Sequence, residues 1–148
     1  MIRSVCLTLL MLGLAACSSD DGGTTGPEET SFAGVYSLVS VDGDPIPILI
    51  FEDASEKSEC TGGTLTLTDG ADVYSGTFTL KFLFRFERKV EGTVHNNEQD
   101  IDGTWRRQGS SLTFDDDGDN QPEASASVSG NRLTLTGNDD GISQVWEK

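Results

Sequence analysis

From Phe32 onward the chain alternates polar and apolar residues in short runs, most clearly at Phe78, Leu80, Phe82, Phe84 and Phe86, with Thr77, Thr79, Lys81, Arg85 and Glu87 between them. A period of two puts the five apolar side chains on one face of a strand and turns most of the others to solvent. Leu83 interrupts the pattern. Weaker versions recur at Val35 to Val41, Leu65 and Leu67, Ile101 to Trp105, Leu112 and Phe114, Ala124 to Val128, Leu133 and Leu135, and Ile142 to Trp146. Asp69-Gly70, Ser129-Gly130-Asn131 and Asp139-Asp140-Gly141 supply turn residues that tolerate positive φ. No amphipathic run at helical spacing is long enough to demand a helix. The stretch Pro45 to Phe51 carries two prolines and fits an edge strand or a lid.

About eight to ten short strands in a row, joined by tight connections, predict an all-β fold: an antiparallel up-and-down meander over residues 32–148. Closing that meander into a small barrel removes exposed sheet edges. A two-sheet β-sandwich would use the same local signals. The five-residue apolar face has to be buried in either case.

The N-terminus follows a different pattern. Arg3 precedes an apolar run from Val5 to Leu14, which has the order and length of a secretory signal core and is too short to cross a bilayer. The run ends in Leu14-Ala15-Ala16-Cys17, which resembles the bacterial lipobox: small residues enter the signal peptidase cleft and the thiol takes diacylglycerol. The resemblance implies a signal peptide over residues 1–16 and lipid attachment at Cys17, with palmitate-type acyl chains as the membrane anchor. Two acyl chains suffice for stable anchoring, since each buried methylene contributes about 0.8 kcal/mol. Residues 17–31 read as a flexible acidic tether, because Ser18 to Ser31 include no aliphatic or aromatic residue. Ser18 after the lipidated cysteine implies sorting to the outer membrane. Asp20-Asp21 also resembles a surface-export signal, so a periplasmic-facing and a cell-surface-facing domain both remain open.

Formal net charge is -15, and Arg3 is the only charged residue of the leader, leaving nine basic against 25 acidic side chains in the mature chain. Nucleic acid is excluded as a partner, since phosphate binding needs a basic stripe. Cys6 falls in the leader and Cys17 carries lipid, so Cys60 is alone in the domain and no internal disulfide or zinc-thiolate site can form. His95, the only histidine, stands before Asn96-Asn97 in an expected loop. There is no G-x-S-x-G, phosphate loop or H-E-x-x-H, so neither an enzyme nor a cofactor is expected. The run Asp115-Asp116-Asp117-Gly118-Asp119-Asn120 invites a calcium reading, but the EF-hand spacing fails, with Asn120 in place of the glycine and Ala126 in place of the glutamate. It reads as a solvated hairpin loop. Regular alternation of loops in a meander would gather Asp69 to Asp72, Glu98 to Asp102, Asp115 to Asn120 and Asn138 to Gly141 at one end, as a single negative field.

The order Phe32-Ala33-Gly34-Val35-Tyr36, a central Gly103-Thr104-Trp105 and a closing Val145-Trp146-Glu147-Lys148 resembles the lipocalin-like domains of small bacterial lipoproteins. In lipocalins the first strand carries Gly-x-Trp, and a late arginine packs across that tryptophan at the closed end. Here Gly34-Val35-Tyr36 holds the first place, and Lys148 is the only cation of the last strand. The resemblance implies a non-enzymatic binding protein, with a small apolar ligand inside the barrel. The aromatic face together with Trp105 supplies the candidate ligand-binding residues Phe78, Phe82, Phe84 and Trp105, unless those side chains simply fill the core. Two further readings are a protein-binding module, such as an inhibitor of a cationic enzyme steered by the acidic charge, and a structural envelope lipoprotein with no ligand.

Overall fold

The computed structural model describes residues 30–137 and 141–148. The leader, Cys17, most of the tether and Asn138 to Asp140 lie outside the described residues. Ten strands follow one another: β1 (Gly34–Val41), β2 (Asp44–Pro45), β3 (Ile48–Glu52), β4 (Glu56–Asp69), β5 (Ser75–Arg88), β6 (Thr93–Gln108), β7 (Ser111–Asp115), β8 (Ala124–Ser129), β9 (Arg132–Gly137) and β10 (Ser143–Glu147). All pairings are antiparallel, and no helix occurs among the described residues.

The pairing of β1 with β4, from Gly34 opposite Leu67 to Ser37 opposite Thr64, closes β1, β10, β9, β8, β7, β6, β5 and β4 into an eight-stranded ring. That closure decides for the lipocalin-like barrel and against the sandwich. The two extra strands lie outside the ring: β2 pairs the end of β1, and β3 pairs the first half of β4. The stretch from Pro45 to Phe51 thus forms parts of two short strands, as its prolines suggested.

Burial follows the two-residue period. Tyr36 and Leu38, Leu65 and Leu67, Leu112 and Phe114, Ala126 and Val128, Leu133 and Leu135 all point inward and are buried. Trp105 and Trp146 are wholly enclosed. Ser111, Thr113 and Asp115 of β7 and Ser125, Ser127 and Ser129 of β8 occupy the alternate outward positions. Close packing around Trp105 requires a residue without a side chain. A Cβ at Gly76 would come within 1.9 Å of the Thr68 carbonyl oxygen and 2.8 Å of the indole nitrogen. With glycine there, the Trp105 N–H donates to the carbonyls of Thr68 and Thr77, at 3.2 and 3.1 Å.

The strands differ greatly in length. β4 and β5 have 14 residues and β6 has 16, against five or six in β7 to β10. β7 covers only Thr104 to Gln108 of β6. The first part of β6, from Thr93 to Gly103, pairs β5 on one side and has no strand on the other among the described residues. A twisted ribbon of β3 to β6 therefore projects beyond the barrel.

This architecture corrects two expectations. His95 and the segment Glu98 to Asp102 belong to β6 instead of a loop. The acidic segments are also not gathered at one end. Asp69 to Asp72 sit at the β4–β5 hairpin, at the end where β1 begins, whereas Asp115 to Asn120 sit at the β7–β8 connection at the opposite end. Successive connections of a meander fall at opposite ends, so the β4–β5 hairpin lies opposite both the β5–β6 and the β7–β8 connections.

Candidate functional site

The two ends of the barrel differ in chemistry. At the end where β1 begins, cations cap aromatic rings. The Tyr36 hydroxyl donates to the Phe32 carbonyl at 2.8 Å, and the Arg107 guanidinium lies 4.0 Å from the centre of the Phe32 ring. Lys148 Nζ stands 4.9 Å from the centre of the Tyr36 ring and donates to the Ala33 carbonyl at 2.8 Å. Gly34, at φ 143°, leaves room for this lysine, because a Cβ there would meet Lys148 Cε at 2.8 Å. Lys148 over Tyr36 and Arg107 over Phe32 thus close this end with two cation and aromatic pairs. Arg107 also donates to the Thr30 carbonyl at 2.8 Å, and the Ser31 hydroxyl to Asp69 at 2.5 Å, so the last residues read as tether are already fixed to the barrel. Burial pushes the Tyr36 phenol above its ordinary pKa.

The opposite end opens into a cavity of about 180 Å³. Its walls include Leu65, Phe78, Leu80, Phe82, Phe114 and Leu135, which are inward positions of β4, β5, β7 and β9. The Phe78 and Phe114 rings meet edge to face with centroids 5.1 Å apart. Three polar residues also line it: Asp116 and Glu123 from the β7–β8 connection, and Gln144 from β10. Gln144 shares the inward face of β10 with Trp146 by the same two-residue period. Its Oε1 is buried and finds no hydrogen-bond partner among the described residues. Glu123 Oε2 accepts the Asp116 N–H at 3.0 Å.

Of the four candidate ligand residues, Phe78 and Phe82 line this cavity. Trp105 is fully buried, with its N–H engaged by two backbone carbonyls, and is not among the lining residues. Phe84 lies further out on the ribbon between Phe82 and Phe86, its ring tilted against both with centroids 6.2 and 6.3 Å away. The aromatic row thus runs from the cavity to a wider groove of about 620 Å³ on the ribbon, where Phe51, Phe86, His95 and Asn97 are found. Sequence reasoning missed Gln144, Glu123 and Asp116. A signal for Gln144 was present, since it alternates with Trp146 and is therefore a polar residue in an inward place.

Beside the cavity mouth, one oxygen from each of Asp115, Asp117, Asp119 and Glu123 lies within 4.8 Å of the others. Such a cluster could hold a hard cation. The loop is also internally bonded: Asp115 accepts the N–H groups of Gly118 and Asn120 at 2.7 and 2.9 Å, and Asp119 accepts that of Gln121 at 2.7 Å.

A closed eight-stranded antiparallel barrel, capped by cation and aromatic pairs at one end and hollow at the other, is a lipocalin-like small barrel. Comparison with known families, with curated proteins and with solved structures finds no match to this chain.

Proposed function

We propose that this chain is a lipid-anchored, non-enzymatic protein of the cell envelope, held to the outer membrane through Cys17, whose barrel binds a small apolar ligand. The observation that carries the ligand reading is the cavity of about 180 Å³ walled by Phe78, Phe82 and their neighbours. Its volume is below the roughly 300–1,000 Å³ of drug-sized sites, which limits the ligand to a single ring or a short chain. A neutral hydrocarbon such as propylbenzene suits it as a probe. Titrating propylbenzene into the full chain should shift the methyl resonances of Leu65, Leu80 and Leu135, and Ala124→Phe, which fills the cavity from its wall, should abolish the shifts. Unshifted methyls up to the solubility limit would leave a structural barrel with no ligand. The anchor rests on the lipobox-like segment. Cys17→Ser should accumulate an uncleaved precursor that takes up no labelled fatty acid, and normal processing of that variant would remove the anchor from the reading.

A second reading, recognition of a cationic protein, is favoured by the free edge of β6. Glu98, Asp100 and Asp102 share one face of that strand, and its backbone from Thr93 to Gly103 has one side that no strand pairs among the described residues. A basic lysozyme added at low ionic strength should then slow amide exchange over those residues. No association under that condition would end this reading.

A further inference from the structure

We infer that the ligand of the open-end cavity is a small amphipathic cation, an apolar body bearing one ammonium group. This inference rests on the ligand-binding reading and specifies its chemistry. The polar atoms offered to a ligand differ sharply in kind from the walls. Phe78, Leu80, Phe82 and Leu135 provide an apolar chamber, while the exposed Asp116 and the half-buried Glu123 are the charged residues of its lining, with no lysine, arginine or histidine lining it among the described residues. Glu123 is half-buried and uses Oε2 to accept the Asp116 N–H at 3.0 Å, which leaves Oε1 for a ligand donor. The nearby guanidinium of Arg106 is turned to Asn120 Oδ1, at 3.0 Å.

Gln144, half-buried, is the third polar residue of the lining. An ammonium has three donors and no acceptor, which matches a lining whose charged residues are both acidic. Its charge is favoured by the rings of Phe78 and Phe114 and by the net charge of -15. A fatty acid of the same size would bring its own carboxylate to two others and is disfavoured.

The test compares three ligands of nearly equal shape on the full chain at neutral pH and low ionic strength: phenethylamine, propylbenzene and phenylacetate. Calorimetry should find phenethylamine at least about tenfold tighter than propylbenzene, and phenylacetate weakest. Glu123→Gln, which keeps an acceptor for the Asp116 N–H, should bring phenethylamine to the level that propylbenzene shows on the same variant. Asp116→Asn should reduce the preference in the same direction. Equal affinity for all three ligands, or a preference for phenylacetate, would overturn the inference while the ligand-binding reading stands. Failure of all three to bind would remove both, and retention of the amine preference in Glu123→Gln would show that the carboxylate assigned here does not confer it.

Discussion

The barrel and the ribbon that projects from it are built from the same continuous strands but held together by different forces. Within the ring, inward residues are almost completely withdrawn from water, and Trp105, Trp146, Leu65, Leu112 and Leu133 are fully buried. In the ribbon, every residue of β6 from Thr93 to Asp100 is exposed, on both faces. Backbone pairing with β5 and side-chain pairs hold that strand: Lys81 with Glu98 at 2.8 Å and with Asp100 at 3.7 Å, and Thr79 with Asp102 at 2.6 Å. Exposed ion pairs contribute at most about 1 kcal/mol each, so local stability should fall from the ring outward. The edges differ too. The ring has none, whereas β6 leaves one open among the described residues, and the charges of Glu98, Asp100 and Asp102 guard it against indiscriminate pairing.

Trp105→Ala should break this comparison most severely. Removing a wholly enclosed indole from the ring is expected to cost about 3–5 kcal/mol and leaves the Thr68 and Thr77 carbonyls short of a donor. Denaturant melts of the full chain measure it. Phe82→Ala tests the boundary between the regions. Phe82 touches Trp146 with centroids 5.9 Å apart, yet it is only half-buried and faces the cavity. A loss of about 1–2 kcal/mol is expected, because much of the space it leaves is continuous with a void already present. A loss as large as that of Trp105→Ala would mean that the cavity is filled in solution.

The barrel half was legible in the sequence for a physical reason. Where one face of a strand is buried and the other wet, composition must alternate, so β1, β5 and β7 to β10 announce themselves through pairs such as Leu112 and Phe114 or Leu133 and Leu135. Thr93 to Asp100 has two wet faces and therefore no alternation to read; only its long partner β5 makes it a strand. The first half of β4, from Glu56 to Thr61, was missed for a related reason, since its buried positions are the small residues Ser58 and Cys60. Leu83, which interrupted the alternation of β5, lies opposite Gly62, at the irregularity of β4 between Cys60 and Gly62. It turns outward and is half-covered there. The site was legible in part. Aromatic alternation led to Phe78 and Phe82, but the carboxylates at the cavity depend on how the β7–β8 connection folds back, which no local pattern records.

Tyr36 offers a smaller effect with a pH signature. Tyr36→Phe removes the bond to the Phe32 carbonyl and should cost about 1 kcal/mol near neutrality. In the native protein burial raises the phenol pKa above the ordinary 10.0. The unfolded chain then loses this proton first as pH rises, so the stabilisation is complete below about pH 10 and declines above it, through the folded pKa. Melts between pH 9 and 11 should show that alkaline decline in the native protein and a smaller one in Tyr36→Phe. An identical decline in both would mean that other groups cause it.

The smallest effect is expected on the outer face of the ribbon. Lys81 is drawn to Glu98 and Asp100, whose hydrogen bond and charges raise its pKa, but its ammonium and both carboxylates remain open to water. Screening and the side-chain entropy lost in holding such pairs offset most of the attraction, so Lys81→Gln should leave the global denaturant midpoint essentially unchanged. Its effect should instead be local. If cross-strand pairs are what fasten β6 to β5 beyond the ring, amide exchange should quicken in the paired segment of β6 around Glu98 and Asp100, with no change at the Trp105 end of the same strand. That contrast within one strand separates the two regions more sharply than any core substitution, because the chain is continuous and only the means of holding it differs. Uniform acceleration along β6 would show the ribbon and the ring to unfold as one unit, and a global loss exceeding that of Phe82→Ala would reverse the assignment of which face of β5 looks inward.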